Sequence, residues 1–175
     1  MRHVALLRGV NVGGSRLMQR TELEAAFRAA GGENVASYIQ SGNVIFESER
    51  AEALASVAGA SIEQRLGFRP AIILRSADEW RAIVAGNPFV ALGAPAEELH
   101  VAALAARPTQ AAIARLDRES LLPDEFAVSG ADVYLHLPNG VARSNLTNAR
   151  LDKALGTVST MRNWRTALAL LERLC

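Results

Sequence analysis

The chain spells one order of elements twice, and few folds accommodate such a repeat. His3 to Leu7 is a short apolar run that stops at Arg8 and the stretch Gly9-Val10-Asn11-Val12-Gly13-Gly14, as a buried strand does on meeting a loop. Thr21 and Glu24 have capping-box spacing, and Leu23, Ala26, Phe27 and Ala30 recur with helical period until Gly31-Gly32. Val35 to Gln40 and Asn43 to Glu47 are β-rich runs on either side of Ser41-Gly42, the composition of a tight hairpin. Leu54, Val57, Ala58, Ile62 and Leu66 stripe a second helix that Gly67 ends, and Ala71-Ile72-Ile73-Leu74 reads as a buried strand. The order is β-α-β-β-α-β.

A short helix capped by Ser76 and Glu79 follows, carrying Trp80, Ile83 and Val84 and broken at Asn87-Pro88. The series then restarts. Leu99 to Ala105 is a strand, Thr109 caps a helix holding Ile113 and Leu116, and Glu125 to Ser129 pairs with Asp132 to Leu137 about Gly130-Ala131. A helix through Leu146, Leu151, Ala154 and Leu155 stops at Gly156, Thr157 to Met161 is a strand, and Asn163 caps a last helix through Leu168, Leu171 and Leu174. Residues 2–7, RHVALL, even match residues 99–104, LHVAAL, in pattern, and the two series read as a duplication. The expected fold is therefore α/β (α+β): two ferredoxin-like βαββαβ halves with mainly antiparallel sheets, plus extra helices after the first half and at the C-terminus. The halves are placed at 1–92 and 99–175, joined by a linker at 93–98. Either the extra helices or the opposite sheet must cover the second face of each sheet.

Bulk charge does not choose a partner, because 19 Lys+Arg stand against 18 Asp+Glu. The only cysteine, Cys175, excludes an intrachain disulfide framework and a cysteine-based zinc site, and it fits a reducing compartment. The apolar run after Met1-Arg2-His3 is too short for a signal peptide, and no run approaches the roughly 20 residues that cross a bilayer, so the expectation is a leaderless cytoplasmic protein with no membrane partner.

Local clustering is more informative. The loop from Arg8 to Arg20 holds Arg8, Arg16 and Arg20 and no acid, and its glycines free backbone N–H groups to converge on an anion. The same glycines also suit a compact turn. The loop lacks the Lys-Ser/Thr ending of a Walker A motif and the spacing of G-x-G-x-x-G. From Asn139 to Thr166 stand Arg143, Arg150, Lys153, Arg162 and Arg165 against one acid, Asp152. Within that stretch Arg162-Asn163-Trp164-Arg165 sets two forked donors around a helix N-cap, where the backbone dipole favours negative charge. Trp164 has two readings, a platform for a base or an anchor in the core. Gln40-Ser41-Gly42-Asn43 gathers amides and a hydroxyl at a hairpin tip, where they suit either ligand recognition or a tight turn.

Signals for catalysis are sparse. His3, His100 and His136 all fall in expected strands, the first two at equivalent positions of the two halves, and neither H-E-x-x-H nor G-x-S-x-G occurs. No metal and no cofactor is expected.

Four motifs in order, Leu7-Arg8-Gly9-Val10-Asn11-Val12-Gly13-Gly14, Tyr38-Ile39-Gln40-Ser41-Gly42-Asn43-Val44, Asn87-Pro88-Phe89 and Arg162-Asn163-Trp164, resemble the bacterial family catalogued as domain of unknown function 1697. The resemblance spans essentially the whole chain. It implies a shared fold and a shared polar site, and it names no reaction. In that family the serine matching Ser144 is often followed by lysine, where this chain has Asn145, and a polar residue such as asparagine often stands where this chain has Arg165.

The resulting expectation is a phosphate-bearing small ligand or nucleotide in a basic polar groove between the halves. Its site residues are Arg8, Asn11, Gly13, Gly14, Gln40, Ser41, Asn43, Arg162, Asn163 and Trp164. Its motive is the excess of basic residues over one acid across the two segments. Aromatic content of 5% favours a small anion over a nucleic acid strand. Two alternatives stay open. One is an enzyme acting on an anionic metabolite, with Ser41 or a histidine moving a proton. The other is an interaction or homodimer module that uses an open sheet edge.

Overall fold

Each series of four strands closes into its own antiparallel sheet in the computed structural model, which describes residues 1–11, 17–39 and 42–175. The chain divides into two units, 1–81 with 170–175, and 82–169. In the first, β1 (Arg2–Leu7), β2 (Glu33–Tyr38), β3 (Asn43–Glu47) and β4 (Ile72–Ser76) are ordered β2-β3-β1-β4. Helices α1 (Arg20–Ala29) and α2 (Ala51–Leu66) cover one face, where Ala5, Leu7, Val44 and Phe46 meet Leu23, Phe27, Leu54, Ala58 and Ile62. Alternation along the strands puts these side chains on one face and leaves Val4, Leu6, Ile45 and Ile73 on the other, where they are buried too.

Past the first sheet come α3 (Ala77–Ala85) and α4 (Pro88–Ala91), separated at Asn87, whose side chain caps α4 by accepting from Phe89 N at 3.0 Å. The second sheet repeats the first. Strands β5 (Leu99–Leu104), β6 (Glu125–Ser129), β7 (Asp132–His136) and β8 (Ser159–Asn163) are ordered β6-β7-β5-β8. Helices α5 (Gln110–Ile113), α6 (Arg118–Leu121) and α7 (Asn148–Leu155) belong to this half, and α8 (Trp164–Leu174) ends the chain. Leu121, Leu146, Leu151 and Leu155 pack on Ala102, Leu104, Val133 and Leu135. Among the described residues no helix is long and apolar enough to cross a membrane.

Several local expectations shift. Helix α1 starts a residue before Thr21, and Glu22 closes the turn by accepting from Gln19 N at 2.8 Å. Glu24 therefore sits two residues further in and instead accepts from Ser37 N and Oγ at 2.9 and 2.7 Å. The single helix expected through Ile113 and Leu116 is two short ones, because Asp117 caps α6 through Glu119 N at 3.0 Å. Leu146 precedes α7 rather than lying in it, since Thr147 is the cap, accepting from Arg150 N at 3.2 Å. Thr109 and the Ser76–Glu79 pair cap their helices as expected.

Candidate functional site

The C-terminal end of β1 gathers three loops. Leu7 N donates to Gly42 O at 2.8 Å and Arg8 N to Ala71 O at 2.9 Å, so the loop after β1, the β2–β3 hairpin and the entry to β4 meet there. Asn11 holds the first loop. It takes the left-handed conformation at φ 58°, its Nδ2 donates to Met18 O at 2.9 Å, and its Oδ1 accepts from Met18 N at 2.7 Å. Asn43 is fully buried opposite Leu6 and Tyr38, with Nδ2 donating to Tyr38 O at 3.1 Å. Gly42 has φ +74°, and a Cβ there would lie 3.0 Å from Leu7 Cβ and 3.1 Å from Leu7 O. Ile39, exposed beside it, is left-handed at φ 48°, a strained state for a β-branched residue. Gly13, Gly14, Gln40 and Ser41, expected at this site, lie outside the described residues.

Arg8 is half-buried at this end. Arg20 is committed elsewhere, with Nε and Nη2 donating to Ser37 Oγ and Ser37 O at 3.2 and 2.8 Å. Arg8, Asn11 and Asn43 thus come together in the first unit, whereas Arg162, Asn163 and Trp164 belong to the second.

The second sheet serves as an internal control. Leu104 N donates to Ala131 O and Ala105 N to Val158 O, both at 2.8 Å, the same two bonds in the same places. Yet the connections there are short. Residues 105–109 link β5 to α5 where 8–19 link β1 to α1, and residues 130–131 turn the hairpin where 39–42 turn the first. Ala105 replaces Arg8, and Asp132 replaces Asn43. The longer polar loops, and an arginine directly after the first strand, belong to the first sheet; the matching loop of the second keeps one basic residue, Arg107.

Strand β8 runs two residues past its expected end, because Arg162 pairs with Val101 and Asn163 with His100. Arg162 is therefore a strand residue. Its guanidinium is buried, which draws its pKa down to about 10, and Nη1 donates to Thr160 Oγ1 and Met161 O, both at 2.8 Å. Asn163 caps α8 by accepting from Thr166 N at 2.8 Å, and Trp164 is buried.

Arg75, unnoticed in the sequence, matches Arg162. It is buried opposite Val4 on β4, donates from Nη1 to Leu74 O at 2.7 Å and precedes a helix cap, Ser76. Aligning the halves on their capping residues would have found it; reading β4 as ending at Leu74 concealed it. Leu74 and Met161 turn their carbonyls toward the outer edges of their sheets, so each arginine lies over an edge, a device that discourages unwanted strand pairing.

The histidines differ. His136 is gripped by two carboxylates, with Glu98 Oε2 2.8 Å from Nε2 and Glu125 Oε2 2.8 Å from Nδ1, beside the Phe89 ring. Burial alone would lower its pKa, but the bonds to Glu125 and Glu98 outweigh that and raise it. His100 is pushed down by burial, and its Nδ1, like Asn87 Nδ2, is a buried nitrogen with no hydrogen-bond partner. His3 bonds Met1 O at 3.1 Å and stacks on Phe46. Among the described residues no group of three or more His, Cys, Asp or Glu is placed to hold a metal ion.

A family model described as protein of unknown function (DUF1697) matches residues 1–134, a span that holds the first three motifs and stops before Arg162. No curated protein matches the chain. Among solved structures, a conserved bacterial protein from Streptococcus pneumoniae is similar, with a TM-score of 0.73 and 21% identity over 99% of this chain and 98% of that one. At that identity the likeness speaks for the fold.

Proposed function

We propose, from the premise that the chain belongs to the family described as protein of unknown function (DUF1697), that its first unit binds a phosphate-bearing small molecule or nucleotide at the end of β1. The observation that carries this reading is the contrast between the two sheets. Equivalent ends have equivalent backbone bonds, but among the described residues the first end has the long loops, Arg8, and four left-handed residues, Gly9, Asn11, Ile39 and Gly42, where the second end has Gly130. Left-handed turns aim successive backbone N–H groups into a concavity, which is how loops hold anions without a dedicated side chain for each oxygen. Arg8 adds a forked donor at the rim.

In this reading Arg162 guards a strand edge, Asn163 caps a helix and Trp164 is a buried anchor of that helix's first turn. The matched bonding of the sheets supports their origin by duplication, after which one copy elaborated its loops. We place the protein in the cytoplasm, in keeping with its single cysteine.

The test is a thermal-shift series with inorganic phosphate, nucleotides, phosphosugars and short oligonucleotides on the wild type, Arg8→Ala and Arg65→Ala. Arg65, paired with Glu22 at 3.0 Å, removes the same charge elsewhere. A ligand at one hundred times its Kd adds about 2.7 kcal/mol to stability. The expected result is a rise that Arg8→Ala abolishes and Arg65→Ala keeps. A rise indifferent to Arg8, or none across the series, refutes the reading.

A further inference from the structure

Every strand that ends a sheet in this chain, β2, β4, β6 and β8, gives an outward-facing carbonyl to an arginine. Because Leu7 N bonds Gly42 O, the alternate residues Asn43 and Ile45 turn their backbone groups to Tyr38 and Ala36, which leaves Val35 and Ser37 facing out from β2. The same alternation leaves Leu74 facing out from β4, Phe126 from β6 and Met161 from β8. Arg75 donates to Leu74 O at 2.7 Å, and Arg118 and Arg162 donate to Phe126 O and Met161 O, both at 2.8 Å. On β2, Arg28 donates to Val35 O at 2.9 Å and Arg20 to Ser37 O at 2.8 Å.

Strand β2 is closed more completely than the others, and by a separate element. Arg20, Glu24 and Arg28 stand at i, i+4 and i+8 of α1 and so form one stripe, apart from the buried face of Leu23, Ala26 and Phe27. Besides the two carbonyls, this stripe takes the Ser37 N–H, which donates to Glu24 Oε1 at 2.9 Å. Arg28 also reaches Glu24 Oε2 at 2.9 Å, which ties the stripe together. Along β2, then, Val35 O meets a donor, Ser37 N an acceptor and Ser37 O a donor. A neighbouring strand would offer the same groups in the same order.

We infer that the Arg20–Glu24–Arg28 stripe is a side-chain substitute for a further strand, and that it shuts the β2 edge against a second copy of this chain. The competing occupant follows from the pairing in this sheet, which is antiparallel throughout. A copy related by a two-fold axis through Ala36 would set Val35 of each chain opposite Ser37 of the other and use the groups that the stripe now holds. To dock, it would have to strip both guanidinium groups and the half-buried Glu24 carboxylate of their backbone partners, a cost that an edge lined by apolar side chains would not impose. The inference stands apart from the anion site, and it makes the β2 edge a guarded feature of the fold rather than its working interface.

The experiment follows the full chain by sedimentation velocity and amide hydrogen exchange over a range of concentrations. It compares the wild type, the variant carrying Arg20→Ala, Glu24→Ala and Arg28→Ala, and a control in which Glu63→Ala, Arg65→Ala and Arg69→Ala remove the same charges on and beside α2. The wild type and the control should stay monomeric. The stripe variant should dimerise as concentration rises. Its Ser37 amide should exchange about tenfold or more faster than in the wild type when dilute, and slow again in the dimer. Arg20→Ala with Arg28→Ala uncovers both carbonyls, keeps Glu24, and takes the place of the triple variant under the same criteria if that one does not fold. The inference is overturned if the folded variant stays monomeric throughout, or if its dimer leaves Ser37 exchange unslowed. It is equally overturned if the wild type itself associates with Ser37 protection that grows with concentration.

Discussion

Gly42 and Gly67 form a matched pair of glycines, at φ +74° and +73°, that separates backbone strain from crowding. At Gly67, which ends α2, a Cβ meets nothing within 4 Å, so Gly67→Ala carries only the left-handed penalty, about 1 kcal/mol. At Gly42 the same change also sets a methyl 3.0 Å from Leu7 Cβ and 3.1 Å from Leu7 O. Leu7 is buried and its N–H is bonded to Gly42 O, so neither atom can withdraw without breaking the contact that joins the two motif loops. Overpacking of this kind adds about 1–3 kcal/mol, for a total of about 2–4 kcal/mol. With about 2–4 °C lost per kcal/mol in a chain of this size, Gly67→Ala should lower Tm by about 3 °C and Gly42→Ala by about 9 °C. Urea unfolding followed by tryptophan fluorescence reads the same difference, Trp80 and Trp164 both being buried. Equal losses in the two variants would refute the argument that Leu7 and Gly42 are locked together.

Asn11→Ala should cost about 3 kcal/mol through two hydrogen bonds and a left-handed backbone, and Asn11→Gly about 2 kcal/mol through the bonds alone, measured by urea unfolding. Tyr134→Phe removes the buried bond from its hydroxyl to Ile83 O at 2.9 Å and should cost about 1–2 kcal/mol. In an ultraviolet titration the same variant should lose a tyrosinate transition near the value of about 12 to which burial pushes Tyr134. His136 has a raised folded pKa, so its stabilisation is complete below the ordinary value of about 6.5 and fades as pH rises through the folded value. His136→Gln should abolish that decline in urea-unfolding curves taken from about pH 6 upward. His100 is depressed by burial, which gives the opposite sign, and His100→Leu should lessen the loss of stability as pH drops below about 6.5.

The order of elements was legible because it rests on period and punctuation: apolar runs for strands, helical stripes, and glycines such as Gly67 and Gly156 that end helices in the left-handed state. Strand ends were less legible. Arg75 and Arg162 are charged and read as loop residues, but pairing with Val4 and Val101 and a carbonyl for each guanidinium hold them in strands. That is a tertiary effect no local pattern carries. Of the candidate site, the closeness of Leu7, Arg8 and Gly42 follows from the hairpin pairing of β1 with β3, which the order of elements implies. The grip of Glu98 and Glu125 on His136 was invisible because it joins residues from three separate segments.

The most direct measurement for the central claim is a titration of 15N-labelled protein with inorganic pyrophosphate, followed by amide and arginine Nε resonances. The account predicts saturable shifts at Arg8, Gly9, Asn11 and Gly42, with the matching positions Ala105, Gly130 and Ala131 unmoved. Equal shifts at the two sheet ends, or shifts that leave Arg8 and Gly42 in place, would contradict it.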